Sequence, residues 1–311
     1  MPSPRALQAR SRLQPLDIGL HHHRSFQWVR RGVLAVSVAF TLGLPVWHLT
    51  ALDHQSAGLT GFGAAGDAVR SASIGATGVP PLLGMPGAFS FFGLEFLDPL
   101  ALLGVLLARG PSWLLLWAAL PALILVAVLG RFFCGWLCPY LPILAASNAA
   151  RWVLTRIGLQ PLDVQVPRRT ARLVLVGVLI ASALLGVQVL PWLYPPSILG
   201  REAFRLVFFG GLSAGALVVA AAFLFDTFVS RAGFCRSLCP GGAMFSLVAT
   251  ASPLRVVREP AKCTDCTVCD VVCNLGQLPM TDRLDSGCER CGKCISACPT
   301  DALKFALRRP P

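Results

Sequence analysis

The chain is short of charge. Only 14% of its 311 residues are Asp, Glu, Lys or Arg, while 55% are hydrophobic. Soluble domains carry about 25% charged residues, so the balance argues against an ordinary soluble enzyme and for a membrane protein. No C-x-x-C-H occurs, which leaves no c-type haem to move electrons. No long apolar run shows paired charges or a broken-helix pattern, so a stand-alone transporter lacks its usual marks. The first apolar run is not followed by a small-x-small cleavage site. It also exceeds the roughly 7–15 residues of a signal h-region, and it reads as a retained anchor.

What the chain does have is hydrocarbon. Four runs, about 32–52, 112–130, 173–193 and 207–229, exceed the roughly 18 apolar residues that mark a membrane span. Residues 94–108 are apolar but shorter and hold two acids. There Asp98 followed by Pro99 predicts a helix start, and the segment reads as an interfacial or re-entrant helix on the outer side. Residues 53–87, with eight glycines, read as a flexible outer loop, and 194–206 as a short outer turn. Gly211 and Gly215 form a G-x-x-x-G that permits close helix contact, a pattern common by chance.

Of 27 Lys and Arg, only Arg70, Arg109, Arg201 and Arg205 fall in the two loops on the other side from the termini. The positive-inside rule therefore puts both termini in the cytoplasm. It also explains the net charge of +12 without nucleic acid as a partner. His21, His22 and His23 belong to a basic N-terminal arm and read as solvated.

Cysteine is plentiful, with twelve in all. "FCGWLCP" at 133–139 recurs as "FCRSLCP" at 234–240, each just beyond a predicted span and each preceded by an arginine, Arg131 or Arg231. If helical, cysteines four apart lie about 5–6 Å apart at Cβ, too far for an undistorted disulfide. Pairs of small buried residues are one reading. Repetition and the following prolines favour the other, a redox or metal role for Cys134, Cys138, Cys235 and Cys239. Whether the four converge is not legible in the sequence.

After Pro253 the chain turns polar and carries "CTDCTVCDVVC" and "CERCGKCISACP". Each is C-x2-C-x2-C-x3-C, the spacing with which three thiolates wrap one iron–sulfur cube while the fourth crosses to the other. One [4Fe–4S] cluster is expected on Cys263, Cys266, Cys269 and Cys298, a second on Cys288, Cys291, Cys294 and Cys273. Structural zinc prefers two C-x2-C pairs, and cytoplasmic thiols stay reduced. Asn274 replaces the usual proline after the first run, which is not a ligand position.

With "GRFFCGWLCP", "FLFD", "FCRSLCPGGA" and both runs in this order, about residues 95–305 resemble the NapH/MauN family of ferredoxin-type membrane proteins. The resemblance implies a protein passing electrons between the quinol pool and a redox partner, a periplasmic ferredoxin or cytochrome subunit in a nitrate-reductase type system. An assembly or maturation factor, whose thiol pairs the clusters recharge, is the alternative. Asp226 occupies the "FLFD" position, for proton handling or as an interfacial acid neutralised by a nearby arginine. His48 and His54 are weaker quinone-site candidates. The expected architecture is an all-α membrane domain of four transmembrane helices plus a small C-terminal α+β dicluster ferredoxin-like domain. Its divisions are a basic arm at 1–28, the membrane domain at 29–252 and the ferredoxin-like domain at 253–311.

Overall fold

The structure is a computed structural model that describes residues 24–55, 82–85, 88–91, 94–100, 102–103, 106, 113–164, 166–167, 169–186, 189–281, 284 and 286–307. His21–His23 lie outside the described residues, as does 56–81 of the expected outer loop.

Helix α1 (Arg24–Gln55) starts inside the segment assigned to the basic arm and carries Pro45. Within it Phe26–Val46 is, among the described residues, the one stretch long and apolar enough to cross a membrane. His48 and His54 fall in its last turns, with side chains outside the described residues. Three short strands follow, β1 (Leu82–Met85), β2 (Ala88–Phe91) and β3 (Leu94–Leu97), antiparallel in chain order. Residues 94–97 are therefore strand, and the expected helix starts only after them. Asp98 does start it, because its Oδ1 accepts the Leu100 N–H at 2.7 Å.

Helices α2 (Trp113–Leu129), α3 (Phe132–Trp136), α4 (Leu141–Arg156) and α5 (Arg169–Leu185) come next. The third apolar run ends as helix at Leu185, and Leu190–Trp192 near its end form a 3-10 turn. The fourth run is divided. Its first residues close α6 (Pro195–Phe209), which Gly210 caps in the left-handed region at φ 65°. Ser213 then caps α7 (Ala214–Leu224), and the helix widens into a π segment at Phe225–Val229. A second π turn, Phe234–Leu238, leads to α8 (Pro240–Val248). These helices bury one cluster around Tyr140, Leu144, Leu175, Tyr194 and Phe234. Their outer faces leave large apolar side chains bare, among them Leu173, Leu184 and Leu217 at 70, 80 and 72% exposure.

The C-terminal unit is closed by β4 (Leu254–Arg258) and β5 (Leu303–Leu307), antiparallel with Val256 opposite Phe305. Between them lie the cysteine runs, with short helices α9 (Val268–Val272) and α10 (Lys293–Ser296). The whole is mostly helical with this small two-stranded sheet at its C-terminal end.

Candidate iron–sulfur and thiol site

In the C-terminal unit each cysteine run bends the backbone the same way. The residues before and after the second cysteine are left-handed: Asp265 and Thr267 around Cys266, Arg290 and Gly292 around Cys291. Such turns point successive N–H groups inward, as anion-binding loops do. Gly292 meets two demands, a φ of 69° and a Phe26 ring carbon 2.3 Å from where a Cβ would stand.

Cys263, Cys266, Cys269 and Cys298 line one cavity, and Cys298 Sγ accepts the Ala302 N–H at 3.3 Å. Cys273 stands with the second run, close enough to Cys288, Cys291 and Cys294 for their charges to repel. Burial pushes the Cys269 and Cys288 thiols up to about 12 and Cys273 to about 11. Left without a metal, these thiols would hold their protons at neutral pH, whereas metal ligation removes them. Soft donors gathered in fours fit an iron–sulfur cube.

The two C-x3-C-P motifs have the same backbone bonding. Cys138 N donates to Phe133 O at 3.0 Å, and Cys239 N to Phe234 O at 2.8 Å, each reaching back five residues. That bond widens the turn and turns both cysteines of a motif toward one side. Cys134, Cys138, Cys235 and Cys239 all line a single cavity, with Arg131, Tyr140, Tyr194 and Glu289. Burial pushes the Cys134 thiol up to about 12, although the Arg131 guanidinium beside it opposes the shift.

Both tyrosines of the chain are here, and each donates to a carboxylate. Tyr140 donates to Asp226 Oδ2 and Tyr194 to Asp98 Oδ2, both at 2.9 Å. Asp226 is fully buried, and its Oδ1 accepts the Phe234 N–H at 2.8 Å. It thus ties the residue after the first motif to the start of the second. Arg151 approaches the backbone oxygens of Asp226 and Thr227 at 3.4 and 2.9 Å. The Asp226 carboxylate is thus buried and bonded at both oxygens. Residues 194–196, expected in an outer turn, line the cavity holding the motifs expected at the inner surface, and Asp98, expected on the outer side, bonds to Tyr194 there.

The C-terminal unit is docked directly against this cavity. A Cβ at Gly135 would stand 2.6 Å from Glu289 O and 3.3 Å from Cys291 Cβ. Arg131 Nη1 donates to Gly287 O at 3.2 Å and Trp136 Nε1 to Arg290 O at 3.1 Å. From α1, Arg30 donates to Gly135 O at 2.8 Å, and Gln27 to Ser296 Oγ at 3.0 Å. Arg131, Glu289 and the two tyrosines were not legible as site residues. Their only sequence signals are the arginine preceding each motif and the rarity of tyrosine.

A family model for a 4Fe-4S binding domain matches residues 109–156 and 212–256, and a second 4Fe-4S binding domain model matches 285–304. No solved structure matches the chain. The ferredoxin-type protein NapH of Escherichia coli K12 is 32% identical over 224 residues, which are 68% of this chain and 75% of that protein. NapH of Haemophilus influenzae is 31% identical over the same shares of each chain. The methylamine utilization ferredoxin-type protein MauN of Methylorubrum extorquens is 39% identical over 160 residues, 51% of this chain and 53% of the other. Matched along most of its length by ferredoxin-type relatives, this chain belongs to the NapH/MauN family of ferredoxin-type proteins.

Proposed function

We propose that this iron–sulfur protein sits in the bacterial inner membrane and passes electrons between the quinol pool and a partner redox enzyme. Its C-terminal unit holds two [4Fe–4S] clusters in the cytoplasm, with ligands crossed between the runs. The observation that carries the reading is the direct seating of the Cys288–Cys294 loop on the C-x3-C-P cavity through Gly135, Arg131 and Trp136. When bound, the clusters supply one-electron transfer. The chain's own residues hold the thiols in place, exclude water and keep the two units in register. Membrane insertion is supported by Phe26–Val46 and by the bare apolar faces of α5 and α7. Four crossings are proposed, with 189–209 turning back into the protein, since irregular backbone at membrane depth is tolerated only where protein buries it.

Anaerobic titration of the purified protein with a quinol analogue tests this function. We expect the iron–sulfur absorption to bleach with quinol and recover with an electron acceptor. Clusters reducible by dithionite but untouched by quinol would sink the quinol link. The higher local identity to MauN favours one second reading, a maturation factor acting through the thiol pairs. In that case, electron delivery would depend on those pairs and not on quinol.

A further inference from the structure

We infer that Cys134, Cys138, Cys235 and Cys239 together ligate a third [4Fe–4S] cluster, in the cavity between the two C-x3-C-P turns. The inference rests on the proposed function only in taking the C-terminal runs as cluster ligands. Those runs also provide the internal comparison.

Four thiols from two distant turns line this cavity, as four thiols line the one beside Cys298. In both places an amide supports a sulfur. Cys239 Sγ accepts the Gly242 N–H at 3.4 Å, as Cys298 Sγ accepts that of Ala302. Hydrogen bonds to the sulfurs are one of the levers by which proteins set cluster potentials.

A single ion fits less well. Among the described residues no three His, Cys, Asp or Glu side chains stand close enough to grip one metal ion. One zinc would draw its thiolates to about 2.3 Å from a common centre. A cube instead spreads its ligands over four separate irons, one thiolate to each. The matched 4Fe-4S segments 109–156 and 212–256 hold two cysteines each, so neither alone can complete a cluster. The fold joins the two halves.

Charge points the same way. Four thiolates around the cube leave the group net negative, which calls for a buried cation. Arg131 is 4% exposed, faces Cys134 and Cys239, and its Nε has no hydrogen-bond partner. Glu289 also lines the cavity, opposite in sign and facing the same guanidinium.

The position has a consequence. Gly135 abuts Cys291, so the new cluster would neighbour the one on Cys288, Cys291, Cys294 and Cys273. Its other wall comes from Tyr194, Pro195 and Pro196, at the start of α6. An electron passing between the neighbours oxidises one cluster as it reduces the other, and no bond is made. Such a relay carries electrons from the cytoplasmic unit into the helical domain without haem.

The test is iron and acid-labile sulfide content with Mössbauer and EPR spectra of the anaerobically purified full-length chain. It is repeated on Cys134→Ser/Cys235→Ser, Cys138→Ala/Cys239→Ala and Cys291→Ser. We expect about twelve irons and twelve sulfides in the wild type. The first two variants should fall to about eight with the C-terminal EPR signals unchanged. A wild type with about eight irons overturns the inference and leaves the C-terminal clusters standing, as does one ion of zinc, copper or iron in the cavity. About four irons in all, lost in both pair variants but kept in Cys291→Ser, would support this site and sink the C-terminal assignment. The wild-type count decides even if a variant fails to fold.

Discussion

At the scale of single residues, Asp226 is a strut. Its two oxygens hold Tyr140 and the Phe234 amide, and so fix both C-x3-C-P motifs against each other. Tyr140→Phe removes one buried bond and leaves a carboxylate oxygen without that donor. The expected cost is about 1–3 kcal/mol, read as a lower thermal midpoint in detergent. Asp226→Asn keeps an acceptor for Phe234 and should lose less than Asp226→Ala. An Asn variant of full stability and iron content that no longer oxidised quinol would give this residue a proton-handling role instead. Gly292→Ala should cost on the order of 1 kcal/mol or more, because alanine resists the positive φ and its methyl would meet the Phe26 ring. The loss should show as earlier release of iron on heating. An unchanged release profile would mean that the Phe26 contact does not hold the loop.

At the scale of elements, the decisive contact joins α3 to the loop before α10. The helix offers Gly135 because any side chain there would strike Glu289 O. Gly135→Val should therefore part the two units. The expected sign is faster amide exchange at Glu289–Cys291, with the C-terminal iron retained. Protection equal to the wild type would show that Arg131 and Trp136 hold the loop unaided. The π segments at Phe225–Val229 and Phe234–Leu238 matter for a related reason. They widen the helix at Asp226 and at Cys235, which stand close enough for their charges to interact.

At the scale of the molecule, topology is the exposed prediction. A reporter fused after Pro311 should be cytoplasmic, and one inserted at Gly211, between α6 and α7, should be on the outer side. The reverse result would remove the reducing compartment from the eight C-terminal thiols. Salt should matter little to the docking of the two units, since Arg131 and Trp136 are buried and bond to backbone oxygens.

Local information is what the chain carried openly. The cysteine spacings, the repeated C-x3-C-P, the apolar runs, the clustering of basic residues and the helix start at Asp98 are all set within a few residues, so the sequence by itself determined them. The division of the fourth run is partly local too, since Gly210 and Ser213 are both cap residues. Periodicity could not expose it, because a run of apolar residues looks the same across a break. Only the tertiary structure brought Cys134 and Cys138 to Cys235 and Cys239, returned Tyr194 to their cavity, and seated Phe26 and Gln27 on the C-terminal loop. Those contacts join residues far apart in the chain, 269 positions in the case of Gln27 and Ser296. They depend on how buried faces pack, and no short stretch of sequence records its partner.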